Sequence, residues 1–275
     1  MGSRKLRYAI FAHFCLICTG ILFVYPLLWM ISTSLKKETQ IFQRPTEWIP
    51  DPFQLINYKH ALTVIPYFDY VFNTFEIVFW VMIGSMLVNP AIAYAFAKLN
   101  WKGRNALFVI VLSTMILPYQ VTMIPLYSTF VKLGWINTIL PLVVPAFFGN
   151  PFLIFLLRQF FLTLPEELSE ASRVDGASEF RIYWNIVLPL CRPALVTVAL
   201  FSFIWVWTDF LGPLIYLTDK VHWTISIGLM QFLTTHGLQW SLLMAGSAVF
   251  MLPVIILFLL MQRVFIQGIT MTGLK

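Results

Sequence analysis

The sequence predicts an all-α integral membrane protein with six transmembrane helices and both termini in the cytoplasm. Hydrophobic residues make up 59% of the 275-residue chain and charged residues 11%, whereas soluble domains contain about 25% charged residues. A soluble fold of this size cannot bury so much apolar surface. The apolar residues also form runs long enough to cross a bilayer, and basic residues flank them. We expect one transmembrane domain over residues 1–275.

The first predicted span covers about residues 8–31. Arg4, Lys5 and Arg7 precede it, and because a basic flank stays in the cytoplasm, this helix should run outward. The apolar run is longer than the roughly 7 to 15 residues of a signal-peptide core, which predicts a retained span. The polar segment that follows, up to Tyr70, then lies outside.

Five further spans follow this outer segment. Several prolines fall within the third and fourth spans, where they free backbone carbonyls and favour helices that line a cavity. A second outer loop, residues 214–240, precedes the last span. The predicted spans two to six cover about residues 71–96, 106–128, 139–157, 194–212 and 241–261.

The distribution of basic residues supports this topology. The short outer loops after spans three and five carry only Lys132 and Lys220, and the longer first outer loop mixes its basic residues with acidic ones. The segments predicted to be inner contain more basic residues, as the positive-inside rule requires. They contain Arg4, Lys5, Arg7, Lys98, Lys102, Arg104, Arg158, Arg173, Arg181, Arg192, Arg263 and Lys275.

Composition and spacing disfavour several other functions. Cys15 and Cys18 form a C-x-x-C inside an apolar run, which favours packing over redox chemistry. The four histidines show no helical i, i+4 pair that would suggest a metal site. The net charge of +6 is scattered rather than gathered in a basic domain, which disfavours nucleic-acid binding. The sequence has no glycine-rich phosphate loop, so we expect no cofactor in this chain.

One polar stretch, residues 163–193, separates the fourth and fifth spans; we call it the elbow segment. Thr163 and Glu166 have the spacing of a capping box, which predicts the start of a helix. Gly176 follows where a left-handed cap would end that short helix. Ser178 can cap a second helix, which two prolines later break. We therefore expect a helix, a glycine corner and a second helix at the membrane surface.

Within the elbow segment, Glu170-Ala171 is followed by Gly176 and then by the run Ile186 to Pro189. In this pattern the elbow segment resembles the EAA loop of the membrane subunits of binding-protein-dependent ABC importers, with Ser172 where the family usually has alanine. The resemblance implies a coupling helix that docks into a groove on a cytoplasmic ATPase; the alternative is an ordinary amphipathic loop helix. The residues that it assigns to ATPase coupling are Glu167, Glu170, Ala171, Ser172, Arg173, Asp175, Gly176, Ile186, Leu188 and Pro189.

Further segments narrow the resemblance to the maltose-type (MalG-like) carbohydrate importer permeases. They are Leu133 to Thr138, Trp207 to Leu214, and the tail Phe265 to Lys275, with departures at Thr208 and Met271. The resemblance implies a second homologous permease, two cytoplasmic ATPase subunits that bind ATP and magnesium, and an extracytoplasmic sugar-binding protein. It places the chain in the cytoplasmic (inner) membrane of a bacterium or archaeon. It also implies that the second outer loop reaches into the binding protein and that residues 268–275 contact the ATPase.

A set of polar and aromatic residues could line a translocation pathway. Aromatic faces combined with hydrogen-bonding groups suit sugar rings, which have C–H faces and hydroxyl edges. For any single aromatic residue, the alternative is packing against lipid or another helix. The candidates are Tyr119, Gln120, Tyr127, Asn150, Trp205, Trp207 and Asp209.

Three other functions stay open from the sequence. An ion-coupled secondary transporter needs ionisable groups at the midplane, for which Glu76 and Asp209 are the candidates, both near predicted outer ends. A membrane enzyme needs an assembled catalytic group, which the sequence does not provide. A permease of the same class could also carry a solute that is not a sugar, such as a glycerophosphate.

Overall fold

The computed structural model describes residues 2–43, 45, 47–235 and 237–271, with side chains from residue 7 to residue 262. Throughout these residues the regular secondary structure is helical, without strands. Among the described residues, four helical segments are long and apolar enough to cross a membrane: Arg7–Ser34, Tyr67–Ala97, Leu140–Leu162 and Trp240–Gln262. Two bent helix pairs raise the number to six if each pair counts as one span. The all-α, multi-span fold predicted from the sequence is confirmed.

The helices have the following bounds. The α-helices are Gly2–Ser34, Glu38–Ile41, Ile56–Thr63, Tyr67–Ala97, Arg104–Ser113, Tyr119–Lys132, Leu140–Val143, Pro151–Leu162, Glu166–Val174, Glu179–Ile182, Leu188–Leu190, Arg192–Trp207, Leu211–Tyr216, Ile225–Met230 and Trp240–Met271. Three 3-10 turns, Thr114–Ile116, Val144–Phe148 and Lys220–His222, and one π-helical turn, Tyr183–Val187, connect some of them. Predicted spans one, two and six each fall inside a single helix, whereas the helix is interrupted within each of predicted spans three, four and five.

The third predicted span is not one straight helix. The helix Tyr119–Lys132 turns by 96° from the preceding Arg104–Ile116. The break lies at Pro118, which lacks an N–H, and the residue before it, Leu117, has the extended conformation that a following proline favours. The sequence contains this proline but predicts a single span over residues 106–128.

The fourth predicted span is interrupted at Gly149. This residue has a φ of +90°, and a Cβ placed there would lie 2.9 Å from Cδ1 of Ile92, so only glycine fits. Asn150 then caps the helix Pro151–Leu162, because its Oδ1 accepts the backbone N–H groups of Phe152 and Leu153 at 2.9 and 3.2 Å.

The chain falls into two compact units, Met1–Phe68 with Gly228–Leu252 and Asp69–Ile227 with Pro253–Lys275. In the first unit, the side-chain amide of Asn57 donates to the carbonyl oxygens of Ser34 and Lys36 at 2.9 and 2.8 Å. The carboxylate of Glu38 accepts the backbone N–H of Ser241 at 3.0 Å, which satisfies a free donor in the first turn of the last helix. The expectation of a single domain over residues 1–275 stays a prediction.

The core of the second unit holds the elbow segment in place. Leu157 and Phe161 of the preceding helix, Ile182 and Cys191 of the elbow segment, and Val198 of the following helix are fully buried in one cluster. Within a bilayer, close packing of such side chains, rather than their removal from water, stabilises contacts between helices. The second half of the elbow segment is therefore part of the hydrophobic core.

Candidate functional site

The first helix of the elbow segment, Glu166–Val174, begins without the predicted capping box. Thr163 ends the preceding helix and donates its hydroxyl to the carbonyl of Phe160 at 2.7 Å. Pro165 occupies the cap position, and no side chain caps the helix there. The carboxylate of Glu166 faces two cations instead, because charge-assisted hydrogen bonds are stronger than a bond to a backbone N–H. The capping-box prediction was wrong, although the predicted helix is present.

The corner at Gly176 has the predicted geometry. Gly176 has a φ of +80°, a left-handed conformation that favours glycine. The N–H of Gly176 donates to the carbonyl of Arg173 at 3.0 Å, and the N–H of Ala177 donates to that of Ser172 at 2.9 Å. The hydroxyl of Ser178 accepts the N–H of Arg181 at 3.4 Å. A left-handed glycine therefore ends the first helix, and a serine starts the second.

The second helix of the elbow segment, Glu179–Leu190, contains a π-helical turn at Tyr183–Val187. The turn precedes Pro189, which has no N–H for an α-helical bond and would crowd the carbonyl four residues earlier. The wider π turn accommodates this proline, and such turns are frequent at functional sites. At Cys191 the chain then bends by 80° into Arg192–Trp207.

Alternating charges connect the elbow segment to the C-terminal end of the helix Tyr67–Ala97. Nζ of Lys98 donates to Oε2 of Glu166 at 2.9 Å, and Arg173 lies 3.4 Å from Oε1 of the same carboxylate. Nε of Arg173 donates to Oε1 of Glu179 at 2.7 Å, and the hydroxyl of Tyr94 donates to Oε2 of Glu179 at 2.7 Å. We call these five residues the charge chain. It fixes both elbow helices to one membrane helix.

Electrostatics keep the carboxylates of the charge chain ionised. Partial burial acts to raise the pKa of Glu166, but the hydrogen bonds and charges of Lys98 and Arg173 outweigh it, so the pKa lies below its ordinary value. The hydrogen bond from Arg173 lowers the pKa of Glu179, against a smaller opposing effect of burial. Both groups are therefore anionic at neutral pH.

The elbow segment also exposes apolar side chains. Val174 is 88% exposed, and Phe180, Trp184 and Leu168 are also exposed. The rings of Phe180 and Trp184 stack with centroids 6.2 Å apart. Ser169, on the other side of the first helix, is buried. We call these four exposed apolar residues the elbow face; an exposed apolar group of this kind marks an interaction surface.

The residues predicted for ATPase coupling fall into three groups. Glu167, Glu170, Ala171 and Asp175 are exposed, and Glu170 lines a cleft of about 700 Å³ beside the charge chain. Arg173 and Gly176 fix the corner, and Ser172 donates to the carbonyl of Leu168 at 2.7 Å. The remaining three lie in the second elbow helix, Ile186 and Leu188 half-buried and Pro189 exposed.

Some of the predicted pathway residues have local structural contacts. Asn150 caps a helix, as described above. Asp209 accepts the N–H of Gly212 at 3.1 Å at the start of the helix Leu211–Tyr216. Trp207 is buried and stacks on Phe203 with centroids 5.4 Å apart. These three side chains therefore hold the local fold together.

Other predicted pathway residues remain accessible. Tyr119 and Tyr127 are exposed, and both contact buried Tyr216. The hydroxyl of Tyr119 lies 3.3 Å from the hydroxyl of Tyr216, and the rings of Tyr127 and Tyr216 stack with centroids 6.3 Å apart. Trp205 is exposed and packs edge-on against Phe152. Gln120 is also exposed.

Sequence reasoning missed the partners of the elbow segment. From the sequence, Lys98 is predicted only to flank a span on the inner side, and no local pattern indicates a role for Tyr94, Glu179 or Tyr216. Lys98 is distant from the elbow segment in the sequence, and spacing within one segment cannot reveal such pairs. Residues 272–275 of the predicted ATPase-contacting tail lie outside the described residues.

Comparisons with known proteins give a consistent result. A family model described as binding-protein-dependent transport system inner membrane component matches residues 89–271. The arabinooligosaccharides transport system permease protein AraQ of Halalkalibacterium halodurans is 35% identical over 255 residues, which cover 92% of this chain and 91% of that protein. The sn-glycerol-3-phosphate transport system permease protein UgpE of Yersinia enterocolitica is 32% identical over 277 residues and 98% of each chain.

A solved structure also shares the fold. It is the crystal structure of a bacterial ABC transporter involved in the import of the acidic polysaccharide alginate. The match has a TM-score of 0.81 and covers 96% of this chain and 98% of the matched chain. The sequence identity is 22%, so the match supports the fold alone.

Proposed function

Because the chain belongs to the family of binding-protein-dependent transport system inner membrane components, we propose that it is the carbohydrate-conducting permease of an ATP-driven importer. As a member of that family it is a multi-pass inner-membrane transport subunit rather than an enzyme, and it works with an ATPase and a substrate-binding protein. The substrate class proposed is an oligosaccharide, as in the name of the AraQ relative.

The rigid elbow segment carries this proposal. The elbow face offers Val174 and the other exposed apolar residues to a partner, while the charge chain joins the elbow segment to Tyr94 and Lys98. A displacement of the elbow face would therefore move the helix Tyr67–Ala97 through the charge chain. It would also move the helix Arg192–Trp207, which follows the elbow segment at Cys191. Movement of these helices would alternate access to the pathway.

The proposed assembly contains a second homologous permease, two ATPase subunits that hold ATP and magnesium, and an extracytoplasmic sugar-binding protein. The termini and the elbow segment lie in the cytoplasm, in agreement with the excess of basic residues in the segments predicted to be inner. Tyr119 and Tyr127 are exposed, and aromatic rings with hydroxyl groups suit sugar rings, so we place them on the pathway.

Glycerol 3-phosphate is a second candidate substrate. The UgpE relative covers 98% of this chain at 32% identity, which is close to the identity of the AraQ relative. The exposed predicted pathway residues are uncharged (Tyr119, Gln120, Tyr127 and Trp205), whereas a phosphate is usually bound by arginine or lysine. This difference favours the carbohydrate.

Reconstitution in vesicles tests the proposed function. The complete complex should import a carbohydrate only with ATP inside and the binding protein outside, and a ligand screen on that binding protein should select an oligosaccharide over glycerol 3-phosphate. Uptake that persists without the ATPase would instead favour an ion-coupled transporter. Selection of glycerol 3-phosphate would overturn the carbohydrate assignment alone.

A further inference from the structure

Residues 217–223 form a surface loop that is closed at its base. The indole N–H of Trp223 donates to the carbonyl of Leu217 at 3.2 Å, which joins the two ends. Between these ends the side chains of residues 218–222 are exposed, and Val221 near the tip is 77% exposed. A compact loop with ends in contact is an Ω-type loop, and such loops are frequently functional. We call it the closed loop.

Asn137 holds one side of the closed loop. Its N–H donates to the carbonyl of Tyr216 at 2.8 Å, and its Oδ1 accepts the N–H groups of Thr218 and Asp219 at 3.1 and 2.9 Å. Its Nδ2 donates to Oδ2 of Asp219 at 2.5 Å. The φ of Asn137 is +64°, a left-handed conformation that asparagine tolerates better than most residues. Both the oxygen and the nitrogen of the Asn137 side-chain amide therefore form hydrogen bonds with the closed loop.

Asn73 holds the other side. Its Nδ2 donates to the carbonyl oxygens of Val221 and Trp223 at 2.7 and 2.9 Å. The ammonium of Lys220 lies 5.8 Å from the centre of the Trp223 ring, within the distance of a cation–π contact. Two asparagines that are distant in the sequence thus fix the backbone of the loop at both halves.

The hydrogen bonds that Asn137 and Asn73 make to the closed loop lie outside the buried core of this unit. The side-chain bonds of Asn137 are exposed, and exposed polar contacts contribute little to stability. The buried cluster of the same unit lies in other residues, such as Leu157 and Val198. The effect of Asn137 is thus mainly on the shape of the closed loop. A pre-ordered loop binds a partner with a smaller loss of conformational entropy.

We infer that Asn137 and Asn73 are positioning residues, which order the closed loop for docking of the extracytoplasmic binding protein. The inference rests on the proposed function, which places the loop on the outer side. The exposed side chains Lys220, Val221 and His222 form the docking surface, and the asparagines act through the backbone that carries them.

The test uses the complete complex in vesicles and titrates the binding protein while ATP hydrolysis is measured. Asn137→Gly keeps the left-handed backbone and removes the amide. The KM for the binding protein should rise about tenfold, the factor expected when one more residue must be ordered on binding. The kcat of the stimulated hydrolysis should change less than about twofold, because Asn137 does not contact the ATPase in this proposal. Asn105→Ala, at another exposed asparagine, should leave both values unchanged.

A charge-neutral exchange separates positioning from a general structural role. Asn137→Asp alone places a carboxylate against that of Asp219 and should raise the KM further. The double variant Asn137→Asp/Asp219→Asn restores the pair with donor and acceptor exchanged, and the KM should return toward the wild-type value. A wild-type KM for Asn137→Gly, or a loss of kcat without a change in KM, would overturn the inference. If the wild-type complex itself shows no stimulation by the binding protein, the proposed function fails instead.

Discussion

Nε of Arg173 donates a hydrogen bond to Oε1 of Glu179 at 2.7 Å, across the corner formed by Gly176. The bond joins the last turn of one elbow helix to the first turn of the next. Because Glu179 also accepts from Tyr94 and Arg173 also pairs with Glu166, the corner is braced against the membrane helix. The elbow segment can therefore move as one body.

The buried cation of the charge chain should be required for coupling. The side chain of Lys98 is 4% exposed, and a hydrogen bond to a charged group contributes about 1.5–3 kcal/mol, which corresponds to roughly tenfold or more in an equilibrium constant. We expect Lys98→Met to lower uptake by about tenfold while ATP hydrolysis continues. Lys102→Met, at an exposed neighbour, serves as the control. Wild-type uptake by Lys98→Met, measured at equal levels of assembled complex, would contradict the role of the charge chain.

The effect of a substitution at Gly176 should depend on how well the new residue adopts the left-handed backbone conformation of that position. At a φ of +80°, alanine costs about 1 kcal/mol, asparagine less, and proline cannot adopt the conformation. The ratio of molecules imported to ATP hydrolysed should therefore fall in the order glycine, asparagine, alanine, proline. An equal ratio for Gly176→Pro and the wild type would show that the corner does not transmit movement.

The elbow face should be the surface that binds the ATPase, and the closed loop should not contribute to that binding. Val174→Asp places a charge on a residue that is 88% exposed, so the fold should be kept while docking against an apolar groove is lost. We expect the ATPase to be retained at less than about a tenth of the wild-type amount on purification. Val221→Asp provides a matched control, since it changes another highly exposed valine (77% exposed) on the proposed binding-protein side. Loss of the ATPase in both variants, or in neither, would argue against the assignment.

The charge chain predicts a dependence on pH. The pKa values of Glu166 and Glu179 lie below the ordinary value of 4.5, so their contribution to stability is fully present above about pH 4.5 and is lost as the pH falls through the lowered values. Hydrogen exchange of the amides of Glu166–Val174, corrected for intrinsic rates, should show less protection below pH 4.5 than at pH 7. The double variant Glu166→Gln/Glu179→Gln should remove most of this difference. Protection that is unchanged at pH 3 in the wild type would refute the prediction.

Local signals in the sequence predicted the helical membrane fold and the elbow corner. Gly176 and Ser178 act through the backbone next to them, so their roles can be inferred from spacing. Lys98 and Glu166 are far apart in the sequence, and their pairing depends on how two helices pack. For that reason Glu166 was assigned to a cap that the structure does not contain. The 96° break at Pro118 was also missed, because a proline in a membrane helix is compatible with a kink or with a full break.

A photocrosslinking amino acid at position 174 tests the central claim most directly. In the assembled complex it should form a covalent adduct with the ATPase, and the same group at position 221 should form one with the binding protein and not with the ATPase. Absence of an ATPase adduct from position 174, in a complex that imports substrate at the wild-type rate, would contradict the claim that the elbow face receives the ATPase.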